Sequence, residues 1–382
     1  MSFKSNFKNK TLKKAQHGKI DIVFLSLVLV LLTVGLIMLF SSSYAYSYTY
    51  HGNSYHFIVR QARYAIIGVI GMLILSRIDY HNYRKLSWLV FAVAIAMLGF
   101  LIAMPPMLKG TDVKRWIAIG SFSFQPTEIA KFAIILLFSH LITSNYKQMG
   151  SVKVVAVLLA ILGGTCVLVI AEPHISATLL IFLIGIMLMV VGGMKLLHIG
   201  ILTLVGAGGV AALLFSGIIS YSGDRIQSWI NPWSDPMGTG YQTIQSLLAI
   251  GSGGIMGRGL GKSRQKYLWV PEPQNDFIFS IVCEELGIIG AIIIILLFCA
   301  LVWRGFTIAI KAKDKFGCLM AVGLTFQVGL QAILNIMVVT NTLPNTGISL
   351  PFFSYGGTSL VLLLAQMGIV LSISRDSSIQ KT

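Results

Sequence analysis

The sequence predicts an all-α polytopic membrane protein with about ten transmembrane helices and one large extracytoplasmic loop between the seventh and eighth. Three observations carry this prediction. Only 11% of the 382 residues are charged, the mean hydropathy is +0.82, and long apolar runs recur from the N-terminal region to the C-terminal end. A soluble domain carries about 25% charged residues, and crossing about 30 Å of hydrocarbon takes roughly 20 apolar residues per helix. The apolar excess excludes a disordered chain. Cys166, Cys283, Cys299 and Cys318 lie in or beside apolar runs without paired spacing, which excludes a disulfide scaffold and reads as inert core thiols.

Taken in order, the runs place spans at 21–40, 58–77, 86–104, 127–143, 153–171, 175–193, 196–219, 277–303, 317–340 and 355–373. The first follows a Lys-rich segment but exceeds the apolar core of a signal peptide, so it reads as an anchor. This divides the chain into a basic cytoplasmic N-terminus (1–20), a membrane domain (21–374) and a cytoplasmic tail (375–382). Ten spans put both termini on one side. That side holds 18 of the 29 Lys and Arg, the opposite side ten, and Lys131 lies within a span. The excess marks the cytoplasm, leaving residues 220–276 outside the cell membrane. The positive charge is scattered over short loops, which suits topology and anionic lipid and gives no nucleic-acid face. Nine of the thirteen acidic residues fall on the outer side, where they have no topological duty, so a site is expected there.

The loop 220–276 is too long for a plain connection and too aromatic for a disordered one, which predicts a folded element on the outer face. Its GRGLGKS stretch fails as a nucleotide loop because Met256 stands where a Gly is required. Glycine turns beside Lys262, Arg264 and Lys266 nevertheless favour an anion, and a lipid pyrophosphate is the natural class at a membrane surface. Asp276, directly before the apolar run FIFSIV, reads either as a helix N-cap or as a general base. Within spans, Glu128 and Lys131 are three residues apart and read as an ion pair shaping a cavity. Glu172 with His174 and Glu284 with Glu285 pose the same problem of buried charge. The outer carboxylates suit a hard cation, and no His/Cys spacing suits zinc.

Longer stretches then match a known family. Asp21 followed by Gly35 and SSSYA, the run KRWIAIGSFSFQPTEIAKF, the segment from RIQSWINPW through GKSRQKYLWVPEPQNDFIFSIVCEELG, and NTLPNTGISLPFFSYGGTSL occur in order over nearly the whole chain. In these pieces the sequence resembles the SEDS family of FtsW, RodA and SpoVE, and in PEPQ and GKSRQK it is closer to FtsW and SpoVE. The resemblance implies a peptidoglycan glycosyltransferase that polymerises lipid II at the outer face of the bacterial cytoplasmic membrane, in division or spore formation. It implies polyprenyl-pyrophosphate-linked glycan as substrate, and a class B penicillin-binding protein and other division or wall-synthesis membrane proteins as partners. It also implies a divalent cation, Mg²⁺ or Mn²⁺. Asp276 then falls on the family's essential aspartate, as general base. Arg115, Lys262, Ser263 and Lys266 fall on its substrate-binding positions, with Arg225 and Gln245 as further candidates in the same run. Asn275 and His174 depart from the family's Thr and Asp. Polymerisation needs a base for the acceptor hydroxyl and cations for the leaving pyrophosphate, so one carboxylate suffices, unlike the pair of a glycoside hydrolase. A lipid II flippase or transporter and a non-catalytic scaffold for wall synthases are the rival readings.

Overall fold

The computed structural model describes residues 18–104, 115–119, 122–195, 198, 200 and 227–376. Among the described residues ten α-helices follow one another: α1 (Ile22–His51), α2 (His56–Leu75), α3 (His81–Ala103), α4 (Pro126–Ser144), α5 (Val152–Ala171), α6 (Ile175–Val191), α7 (Tyr241–Gly253), α8 (Ile278–Ile310), α9 (Lys315–Val339) and α10 (Gly357–Asp376). Among the described residues eight are long and apolar enough to cross a membrane. The shorter α6 is apolar along its 17 residues. Apart from His198 and Gly200, the span expected at 196–219 and the start of the loop, with Arg225, lie outside the described residues.

One departure from an all-helical chain precedes α4. Ile117–Ile119 (β1) and Phe122–Phe124 (β2) form an antiparallel hairpin, Ile117 opposite Phe124. Alternating apolar and small residues in WIAIGSFSF suit a strand as well as a membrane run, and their shortness hid them from a reading based on long spans. Buried positions make up 61% of the apolar window in α4, 67% in α9 and 61% in α10, but 22% in α2, α3 and α8. The first three are the centre of the bundle, and the others present broad apolar faces outward.

Two polar links tie α1 to α8. Near the chain start, Asp21 caps α1 by accepting from Phe24 N at 2.9 Å and pairs with Arg304 Nη2 at 2.8 Å. At the other level, Ser41 Oγ donates to Glu285 at 2.7 Å. Along α1 the links are about 30 Å apart at 1.5 Å per residue, which is the thickness of a bilayer's hydrocarbon. The helix continues for ten residues past Ser41, because serine and tyrosine end an apolar run without ending a helix. Gly52, left-handed at φ 65°, closes it.

Helix α8 is broken at Gly287 (φ 66°, ψ −170°). The freed backbone groups pair with the loop: Arg258 N and Gly259 N donate to Glu284 O and Glu285 O at 2.9 Å each, and Ile288 N donates to Gly254 O at 3.0 Å. A Cβ at Gly287 would sit 2.3 Å from Gly257 N, so both the dihedral and the close approach require glycine there. The described part of the loop, 227–276, is folded as expected. Trp229 Nε1 donates to Asn341 O, and Ser246 Oγ on α7 donates to Val339 O, docking the loop on the end of α9.

Candidate active site

A cavity of about 550 Å³ opens between α2, the β hairpin, α4, α6, α9 and the two segments 272–276 and 347–359. Its wall is polar and carries charge of both signs: Arg60, Arg115, Glu128, Lys131, Glu272 and Asp276 all line it. The two segments are stitched together. Ser354 Oγ donates to Asn275 O at 2.7 Å, Tyr355 N to Gln274 O at 2.8 Å, and Asn335 of α9 donates through Nδ2 to Asp276 O at 2.7 Å. From α2, Gln61 accepts from Gly356 N and donates to Ser354 O.

These bonds fix the backbone of Asp276 and leave its side chain to the cavity. Phe277, not Asp276, occupies the N-cap position of α8, and no side-chain cap bond forms there. Among the described residues, no hydrogen bond to the half-buried Asp276 carboxylate is observed. Burial, reinforced by the negative charge of Glu272 and opposed by Arg115, pushes its pKa up to about 6. Gly347 makes room for it: its φ is +70°, and a Cβ there would stand 3.2 Å from Asp276 Oδ2. Asn275 Nδ2 holds Glu272 Oε2 at 2.8 Å.

Deeper in the cavity, Lys131 Nζ lies 2.7 Å from Glu128 Oε1, the ion pair expected from their spacing, and also donates to Gln331 Oε1 at 3.3 Å. Gln331 in turn donates to Ser349 O. Arg115 Nη2 donates to Pro173 O at 2.6 Å, which ties the hairpin approach to the turn between α5 and α6. His174, in that turn, lines the cavity beside Gln125 and is neutral. Burial and the positive Arg115 and Lys131 hold its pKa down to about 3. Glu172 is fully buried and is not paired with His174. Neither of its oxygens accepts a hydrogen bond among the described residues, and burial, opposed by Arg115, raises its pKa to about 8.

The glycine-rich segment is placed otherwise than the sequence suggests. Lys262, Ser263 and Lys266 do not line the cavity; Lys262 is at the surface, while Ser263 and Lys266 are buried. Lys266 Nζ pairs with Glu285 Oε1 at 2.9 Å and reaches Gly261 O at 2.7 Å. Glu284 accepts from Ser263 Oγ, from Arg264 N at 2.8 Å and from Gln265 N at 3.3 Å, with Arg258 Nε at 3.6 Å. The loop binds anions, as its chemistry predicts, but the anions are the chain's own Glu284 and Glu285. Gln245 is buried on α7 and does not line the cavity either. Cys299 faces outward rather than into the core.

Several lining residues had no separate sequence signal. Gln327 and Gln331, one turn apart on a largely apolar helix that also carries Asn335, were the nearest to one, since polar side chains in a span need a reason. Arg60, Tyr64 and Trp116 become visible only once α2 and the hairpin are packed.

With that geometry fixed, the chain can be set beside known proteins. A family model described as Cell cycle protein, for FtsW, RodA and SpoVE, matches residues 22–379. The chain belongs to the FtsW/RodA/SpoVE family. Stage V sporulation protein E of Bacillus subtilis (strain 168) is 39% identical over 358 residues, covering 94% of this chain and 97% of that protein. A Geobacter sp. (strain M18) protein named Probable peptidoglycan glycosyltransferase FtsW is 35% identical over 357 residues, covering 93% and 96%. Among solved structures, a chain from work described as structural coordination of polymerization and crosslinking by a peptidoglycan synthase complex superposes with a TM-score of 0.77. It is 25% identical and covers 94% of this chain and 99% of its own. Thermus thermophilus rod shape determining protein RodA superposes at 0.69 with 23% identity, covering 94% and 98%, and so shares the fold. Like its family, the chain is a multi-pass membrane protein.

Proposed function

We propose that this family member is a peptidoglycan glycosyltransferase that polymerises lipid II into glycan strands at the outer face of the cytoplasmic membrane, with both termini in the cytoplasm. The observation that carries the reading is Asp276: a carboxylate without a hydrogen-bonding partner among the described residues, held by its backbone in a cavity lined by Arg60, Arg115 and Lys131. A general base needs a reachable carboxylate whose pKa is near working pH, and a pyrophosphate leaving group needs cations. Here Asp276 accepts the proton of the acceptor sugar hydroxyl as that oxygen attacks the anomeric carbon of the donor. The bond to the lipid pyrophosphate breaks, and the pyrophosphate leaves as an anion beside Arg115, Arg60 and Lys131. Lys131 is held in position by Glu128, 2.7 Å away.

A divalent cation fits this wall. Glu272, in the same wall, supplies a hard oxygen donor, and Mg²⁺ characteristically binds through one or two carboxylates together with substrate phosphates. Glu272 would hold it with those phosphates, leaving the Asp276 carboxylate to the acceptor hydroxyl, and the ion's charge would offset that of the pyrophosphate. The described group of three His and carboxylate ligands, Asp79, His81 and Asp376, lies instead at the opposite ends of α2 and α10.

The relatives' names support the reaction, and the peptidoglycan synthase complex supports a membrane-anchored crosslinking enzyme, of the class B penicillin-binding type, as partner. The test is polymerisation of fluorescent lipid II by the purified protein, alone and with that partner. Long strands are the expected product. Movement of lipid II across vesicle bilayers without polymer would instead select the transporter reading. Labelling of a single Cys placed at 240 from outside intact cells is expected; labelling only after permeabilisation would reverse the orientation.

A further inference from the structure

The tip formed by the end of α1 and the start of α2 is the most aromatic part of the chain, YAYSYTYHGNSYHF, and the reaction described above uses none of it. Its rings connect to the cavity. Tyr50 packs on Tyr46 at 4.5 Å, Tyr46 on Phe57 at 6.0 Å, and Phe57 edge-on against Tyr355 at 4.9 Å, and Tyr355 lines the cavity. Beside them His51 and His56 stack at 4.0 Å with planes 8° apart. Tyr50 is 63% exposed, and His51 is exposed too.

Height decides what such a surface can meet. Ser41 ends the apolar run of α1 about 30 Å along the helix from Asp21, and taken as the edge of the hydrocarbon it leaves Tyr50 and His51 about 13–15 Å beyond at 1.5 Å per residue. A headgroup layer is only about 5–8 Å thick on each side, so these rings rise past the zone where interfacial tyrosines usually sit. Descending α2 from His56, level with His51, Arg60 and Tyr64 come down to about 9 and 3 Å above Ser41. The cavity therefore lies at headgroup height, and the aromatic ledge climbs from it into water.

We infer that this ledge, Tyr46, Tyr50, His51 and His56, binds the sugar chain where it emerges from the cavity, as a subsite for an oligosaccharide of β-linked N-acetylated pyranoses. Such sugars have an apolar C–H face and a polar edge. Tyrosine offers the complementary pair, a flat face and a hydroxyl, at low entropic cost. The inference rests on the polymerase reading for the identity of the chain, and the experiment separates the two.

Full-length protein in nanodiscs is titrated with the β-1,4-linked hexamer of N-acetylglucosamine, and strand length is measured in the lipid II assay. Tyr50→Ala combined with His51→Ala is expected to weaken hexamer binding by about five- to tenfold, the size of losing an interface anchor, and to shorten the strands. Tyr50→Phe keeps the ring and should keep most of the binding. Tyr48→Ala, at a 66% exposed position two residues away and so on the opposite face of the same tip, should change neither measurement. Absent hexamer binding by the wild type, or equal binding by the Ala double variant, overturns the ledge, as does an equal loss in Tyr48→Ala. Ring-dependent hexamer binding by a protein that makes no polymer would leave the ledge standing and overturn the polymerase reading.

Discussion

Two sets of carboxylates lie within ten residues of each other, on either side of the start of α8, and their surroundings differ in kind. Glu284 and Glu285 are fully buried and saturated: Lys266, Ser41, Ser263 and Arg258 surround them, with three backbone N–H groups of the 263–265 turn. Asp276 sits in a cavity, gives up only its backbone carbonyl to Asn335, and keeps its carboxylate for the space between Arg115 and Glu272. Neighbouring cations, hydroxyls and N–H groups engage all four oxygens of the first set and turn it into architecture. The second retains basicity, raised by burial, because no hydrogen bond among the described residues uses it. A local motif can thus identify anion chemistry correctly and still leave open whether the anion is a ligand or the protein itself.

The largest expected effect tests the cavity side. Asp276→Asn is nearly isosteric and leaves the Asn335 bond to the backbone in place, so folded yield and melting temperature should stay at or slightly above wild type. Glycan polymerisation should fall on the order of 10²–10⁴, the usual worth of a general base. Near-normal strand synthesis by the purified variant with its partner would transfer the role to Glu272, the cavity-lining carboxylate four residues before it.

The saturated side should respond in the opposite way. Lys266→Met leaves Glu285 buried against Ser41 without its cation, and removing one partner of a buried pair costs about 3–5 kcal/mol. Detergent thermal stability and folded yield should drop sharply. Adding Glu285→Gln should restore much of the loss, because the buried charge is then gone. If Lys266→Met melted like wild type while its affinity for lipid II fell, the lysine would belong to substrate after all.

How much of this contrast could be read from the sequence depends on distance along the chain. Nine of the ten expected spans coincide with helices, since apolar length is a local property, and Glu128 with Lys131 was legible because three residues on a helix share a face. Ser41 with Glu285 is 244 residues apart and Gln61 with Ser354 is 293. Nothing local indicates that SSSYA would supply a hydroxyl to EELG, or that NTGIS would pass beside Asp276. The resemblance singled out Asp276 and Arg115, and both line the cavity. It also carried Lys262, Ser263 and Lys266 toward substrate, because a shared motif does not say which of its residues face inward. The hairpin at 117–124 was missed for a plainer reason: three-residue strands are shorter than any window that finds spans.

A smaller effect is expected where the cavity itself contains a pair. Glu128→Gln leaves Lys131 with Gln331 alone, and a hydrogen bond to a charged group is worth about 1.5–3 kcal/mol. Activity and yield should both fall about tenfold or more. The swap Glu128→Lys with Lys131→Glu should recover yield but less activity, because it moves the positive charge away from its place beside the leaving group. Equal recovery of both would make the pair structural alone.

The mildest test uses pH alone. With its pKa raised to about 6, Asp276 is mostly ionised at pH 7 and able to accept a proton, so polymerisation should decline through pH 6 and fall about tenfold per unit below it. Stability should move the other way. A carboxyl whose folded pKa lies above its ordinary value of 3.8 binds its proton more tightly when folded, so its contribution is fully present below about pH 4 and is lost as pH rises through 6. Between pH 4 and 6 the protein should therefore gain activity while giving up the stability that this one group confers. Asp276→Asn, which cannot titrate, should remove that group's contribution from the stability curve. The paired Glu284 and Glu285 should be untouched by the substitution, so a stability profile identical in wild type and variant would mean that Asp276 is not the group that titrates.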